Sequence, residues 1–112
     1  MKTKLVIVRE ITHLLSSMGV PNSYIGVKQT AYAVDIALQN PECMTLVTKR
    51  LYPEVAKRDH TTPARVERNI RTIVQILWED NPAALNAVAG YELKRKPTTS
   101  QFIAILVDYL QR

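Results

Sequence analysis

A chain of 112 residues has the size of one domain, and that length buries a single core without disulfides or a structural metal. Its composition, 46% hydrophobic and 22% charged with three glycines, excludes a disordered or fibrous chain. Fifteen Lys and Arg against ten Asp and Glu give a formal charge of +5 and a pI near 9.6, a balance that suits an anionic partner without naming one.

The lone cysteine, Cys43, excludes an intramolecular disulfide and reads as a buried or idle thiol. No Cys/His set has zinc-ligand spacing, so no metal or cofactor is expected. The longest early apolar run, Leu5 to Val8, is too short for a signal-peptide core or a membrane span. The expectation is a cytoplasmic protein with no membrane partner.

In chain order, Val6, Ile7, Ile11, Leu14, Leu15 and Met18 recur at helical spacing and predict a helix over about residues 4–18, closed by Gly19 and Pro21. Val27, Ala31, Val34 and Leu38 predict a second over roughly 27–38, with Tyr24 and Ile25 at its entry and the Asn40-Pro41 pair at its end. Met44, Val47 and Leu51 share one face of the next stretch. Pro53 then blocks simple continuation and suits the first turn of a short helix, Pro53 to Arg58.

Asp59, His60, Thr61 and Thr62 follow as a polar turn, with Thr62 placed to cap and Pro63 to occupy the first helical position. Val66, Ile70, Ile73, Val74 and Leu77 then form one apolar stripe, which defines the strongest helix of the chain over residues 63–79. Asn81-Pro82 opens a short helix to about Val88, closed by Gly90, and Tyr91 to Pro97 is a basic loop. Thr98 and Gln101 fit a capping box for a last helix whose stripe is Phe102, Ile105, Leu106, Tyr109 and Leu110. No segment alternates at period two, and there is no repeat or linker, so the expected fold is all-α: one domain over residues 1–112, with about six helices.

A short helix, a tight polar turn and a longer helix are the parts of a helix-turn-helix, whose second helix enters the major groove of DNA. Residues 63–78 are the expected recognition helix. Around it, Ala64, Arg65, Arg68, Arg71, Thr72 and Gln75 fall opposite the apolar stripe. From Lys57 to Arg71 five basic residues stand against two acidic ones, so much of the net charge sits on this motif. Arginine's planar fork donates to both O6 and N7 of guanine, and a carboxylate such as Glu67 accepts from cytosine N4. The competing reading is a solvated face in which Glu67 and Arg71, spaced i,i+4, stabilise the helix by a few tenths of a kcal/mol.

The small Ala64 leaves room for close approach to the groove. Thr61 and Thr62 are candidates for phosphate contact as well as capping. Lys94, Arg95 and Lys96 form a second basic cluster that either neutralises phosphates or lies solvated. His13 and His60 have no motif-linked nucleophile or metal partner, and Trp78 and Phe102 read as core aromatics rather than stacking platforms. Nothing in the sequence has the pattern of an enzyme's active site.

The stretch LYPEVAKRDHTTPARVERNIR, followed by AGYELKRKPTTSQFIA and preceded by LLSSMGVP, resembles the C-terminal effector domain of the master response regulator of bacterial sporulation. The resemblance runs from about Glu10 to the C-terminus, and TT-x-x-RVER-x-IR and KPT-x-S-x-F-I-A are its specific segments. It implies a six-helix DNA-binding unit that recognises short G/C-containing promoter boxes, often in tandem, and so head-to-tail self-association on DNA and contact with RNA polymerase. Carried over position by position, Arg65, Glu67 and Arg68 match residues that approach base edges. Arg71, Thr62 and the Lys94 to Lys96 loop match positions near the backbone.

Two departures stand out. The family usually has Ala-Ser where this chain has Pro63-Ala64, which removes a hydroxyl from the start of the recognition helix. Family members usually carry an N-terminal phosphoacceptor receiver domain, and these 112 residues hold none, so both an excised domain and a stand-alone protein remain open. The rival function is a helical protein-interaction module that keeps this fold and binds a related regulator or polymerase subunit.

Overall fold

The computed structural model describes residues 3–112. Six α-helices follow in chain order: α1 Lys4–Ser17, α2 Ile25–Gln39, α3 Tyr52–Arg58, α4 Pro63–Asp80, α5 Pro82–Ala89 and α6 Thr99–Gln111. Among the described residues there is no strand, and no helix is long and apolar enough to cross a membrane.

The second helix is the centre of the packing. It buries Gly26, Val27, Gln29, Thr30, Ala31, Ala33, Val34, Asp35 and Ala37, and it contacts α1, α3, α4 and α6. A helix surrounded on all sides needs small or apolar residues all round, and the alanines of α2 let its neighbours approach. One close approach is to α4. A Cβ built on Gly26 would stand 2.3 Å from the Asn69 carbonyl oxygen and 2.7 Å from Ile73 Cγ1, so only glycine lets the two backbones meet here. The α2 helix therefore begins at Ile25, earlier than Val27, and includes the residue on which that approach depends.

Around this centre the expected stripes close the core. Ile7, Ile11 and Leu15 of α1 with Met18 just after it, all five stripe residues of α4, and Phe102, Ile105 and Leu106 of α6 are buried. Two residues expected in the core are not: Val6 is 41% and Tyr109 38% exposed. Val6 lies in the first turn of α1, while Tyr109 lies near the end of α6 and offers its ring to the Arg112 guanidinium, 5.7 Å from the centroid. Ile103, fully buried, widens the α6 stripe on the other side.

Between α2 and α3 the stretch expected to carry one helical face is broken in two. Pro41–Thr45 forms a 3₁₀ turn and Val47–Leu51 a π turn that runs directly into α3. Pro53 gives the reason: its ring excludes an ordinary α turn by clashing with the carbonyl four residues back, and the wider turn accommodates it, with Tyr52 N–H reaching the carbonyl of Val47. The later boundaries follow local chemistry. Thr62 accepts from Arg65 N–H at 3.3 Å at the start of α4, and Asn81 Oδ1 accepts from Ala84 N–H at 3.3 Å at the start of α5. Gly90 ends α5 at φ 87°, a left-handed conformation that suits glycine. Thr98 and Gln101 form the complete capping box of α6.

Candidate nucleic-acid interface

The short helix α3, the turn Asp59 to Thr62 and the long helix α4 stand in helix-turn-helix order. Backbone and side chains both hold the turn. His60 takes φ 53°, and Thr61 N–H donates to the Ala56 carbonyl at 2.9 Å. The Asp59 carboxylate then ties the turn to α2: Gln29 donates to it at 3.0 Å and Lys28 pairs with it at 2.8 Å. Burial raises the Asp59 carboxyl, but the hydrogen bonds from Lys28 and Gln29 outweigh it and hold the group below its ordinary value. Gln29, itself buried, accepts from Asn69 at 3.0 Å. One side chain of α2 thus joins the turn to the middle of α4, which fixes the angle between the two helices of the motif.

A second buried link fixes α3. Arg58 pairs with Asp35 at 2.7 Å, and its guanidinium lies 4.1 Å from the Tyr32 ring centroid. This consumes one of the five basic residues between Lys57 and Arg71: Arg58 is structural, and the charge available to a ligand is smaller than the sequence count. Nη2 of Arg58 is buried without a hydrogen-bond partner, which the stacking on Tyr32 partly offsets.

On the outer face of α4, Ala64, Arg65, Arg68, Arg71 and Thr72 are exposed. Neither the Arg65 nor the Arg68 guanidinium has an ion pair or hydrogen bond among the described residues. Both are cations held on a rigid element with their donors unspent. Arg71 differs, since it stands 3.4 Å from Glu67. Glu67 sits at the edge of the face, half-buried, and its other oxygen accepts from the Thr99 hydroxyl of α6 at 2.9 Å. Thr62 is exposed and caps α4, while Thr61 is half-buried in the turn.

The outer face has a flank on each side. On one, Ser23 to Gly26 at the start of α2 border Asn69 and Thr72. On the other, Lys96 borders Gln75, and Thr99 in the first turn of α6 borders Glu67. Lys96 Nζ donates to Gln75, which also bonds Glu79, so the structure brings Lys96 beside α4. Lys94 and Arg95 are exposed but turn toward a shallow cleft walled by Leu93, Pro97, Ala104 and Ile105. The basic loop therefore divides, with Lys96 facing α4 and Lys94 and Arg95 facing α6.

Sequence reasoning missed Gln29, Asn69 and Thr99. Buried or half-buried polar side chains within helices give no periodic signal, and their partners lie 30, 40 and 32 residues away. The one trace was the scarcity of charge along α2, where Lys28 and Asp35 alone interrupt residues 25–39. Cys43 is buried, and among the described residues no three His, Cys, Asp or Glu side chains are grouped to hold a metal.

Taken together, the chain has a helix-turn-helix braced from α2, a second helix whose outer face carries unspent guanidinium groups, and a basic loop at its flank. The family model described as sporulation initiation factor Spo0A C terminal matches residues 11–110, nearly the whole chain. The chain thus belongs to the family of Spo0A C-terminal domains, non-catalytic DNA-binding effector domains of a sporulation regulator.

Proposed function

We propose that this domain regulates transcription by sequence-specific binding of duplex DNA, with residues 63–78 of α4 in the major groove. Arg65 and Arg68 read guanine through O6 and N7, and Glu67 accepts from a cytosine amino group at the edge of the same face. Thr61, Thr62, Arg71, Lys94, Arg95 and Lys96 neutralise or bond phosphates, which sets the register without reading sequence. The observation that carries this reading is the pair of unpaired guanidinium groups of Arg65 and Arg68 on the exposed side of a helix whose other side is locked into the core.

Family membership extends the proposal. Copies bind tandem boxes head to tail, a bound copy contacts RNA polymerase, and the domain works in the cytoplasm on the nucleoid. The alternative of a protein-interaction module finds less support, because the strongest exposed feature of the motif is a row of arginines, not an apolar patch.

The test is substitution of the readers. Arg65→Ala and Arg68→Ala should each weaken binding to a duplex selected from a random pool by roughly 1–3 kcal/mol for the base interaction each removes. Helical content should stay unchanged, since both side chains are exposed. Equal discrimination between selected and scrambled duplexes in wild type and both variants would remove α4 as the reader.

A further inference from the structure

We infer that Thr99, in the first turn of α6, is a positioning residue for DNA sequence discrimination: it aims the Glu67 carboxylate from behind. The inference rests on the proposal that Glu67 meets a cytosine, and it adds a residue that touches no DNA itself.

A glutamate at the edge of an exposed helix face is normally a poor reader. Its three side-chain torsions sample many positions, and each must be frozen on binding at a cost in entropy. Glu67 escapes this. Its Oε2 accepts from Thr99 Oγ1 at 2.9 Å, and its Oε1 lies 3.4 Å from Arg71 Nη1. A carboxylate has about four acceptor sites on two oxygens, so both interactions leave lone pairs for one more donor. With about a third of the side chain exposed, that remaining capacity meets solvent, on the face shared with Arg71.

The donor is itself firmly held. Thr99 is 6% exposed, and the capping box on either side of it fixes its backbone: Gln101 N–H donates to Thr98 Oγ1 at 3.1 Å, and Gln101 Oε1 accepts from Thr98 N–H at 2.9 Å. The start of α6 is also the positive end of a helix dipole, which favours the nearby carboxylate. Thr99 therefore transmits the rigidity of the α6 cap to a reading group 32 positions earlier in the chain.

Three substitutions separate this from a general packing role. Thr99→Val keeps shape and burial and removes the hydroxyl; Thr99→Ser keeps the hydroxyl; Glu67→Ala removes the reader. Affinities are measured on the duplex selected by the wild-type domain and on probes carrying each base in turn at every position, at fixed salt. Glu67→Ala should relax preference at one cytosine by about tenfold. Thr99→Val should relax preference at that same position by about threefold, with preferences elsewhere and the salt slope as in wild type, and Thr99→Ser should restore it.

Thr99→Val that leaves the cytosine preference intact while Glu67→Ala relaxes it overturns the role of Thr99. A uniform loss across all positions in Thr99→Val, not recovered by Thr99→Ser, also overturns it and leaves a packing role. Glu67→Ala with an unaltered preference overturns the reading of Glu67 and the inference with it, while Arg65 and Arg68 still test the wider proposal separately.

Discussion

At the scale of single residues, the four arginines between Arg58 and Arg71 fall into three different groups. Arg58 is spent on Asp35 and Tyr32, Arg71 is shared with Glu67, and Arg65 and Arg68 are unpaired. Their order in the sequence gives no hint of this division, because it depends on what α2 and α6 bring to each. Glu67 also acts inward. Burial and, to a smaller extent, Glu67 push the Tyr52 hydroxyl up to about 12. A folded value above the ordinary one means that the fold favours the neutral phenol. The stability this contributes is complete below pH about 10 and is lost as pH rises toward 12. Tyr52→Phe should therefore flatten the alkaline fall in stability over that window, as followed by chemical denaturation at a series of pH values, and an unchanged fall would contradict this.

Among the elements, what was legible in the sequence was local. The α4 stripe, its Thr62 cap and Pro63 start, the Asn81-Pro82 opening of α5 and the capping box of α6 all depend on residues within a few turns of one another, and the structure shows each. The π turn before α3 was not legible, since helical periodicity says nothing of how a chain widens to seat a proline. Nor was the close approach that sets α4 at its angle. In the sequence Gly26 is one more residue near a helix entry, yet the space for a Cβ there is already filled by the Asn69 carbonyl. Gly26→Ala should cost roughly 1–3 kcal/mol by overpacking, or more, because the clashing atom is backbone. The melting temperature should fall, and the variant should also lose DNA discrimination when assayed below its melting point, because α4 must move to admit the methyl group. A melting temperature and a base preference both unchanged would show that α2 does not hold α4.

For the whole molecule, the resemblance visible in RVER and KPTTSQF and the match over residues 11–110 converge on one family, and the structure sets α4 between two flanks with the core behind it. The candidate site was legible as residue types, and Arg65, Arg68 and Thr62 are exposed. The split of the 94–96 loop was not legible, because it depends on Gln75 reaching Lys96. If copies bind tandem boxes as neighbours, they must lie on one side of the duplex, so boxes should be spaced near one helical turn, roughly 10 to 10.5 base pairs. Insertion of about half a turn between them should abolish cooperativity in a titration while leaving single-box affinity unchanged. Cooperativity indifferent to the insertion would mean that neighbouring copies do not touch.

The central claim is that the α4 face reads sequence while basic side chains supply affinity. It is tested most directly by titrating the domain on selected and scrambled duplexes across a series of salt concentrations, with wild type beside the Lys94→Ala/Lys96→Ala double variant. Both duplexes should bind more weakly as salt rises, with the selected one tighter throughout by roughly a thousandfold or more. The double variant should lose affinity for both duplexes alike, with the slope of log affinity against log salt shallower by roughly 0.9 for each phosphate no longer neutralised. Equal affinity for the two duplexes at every salt concentration would contradict the account, since it would leave a basic protein that binds DNA without reading it.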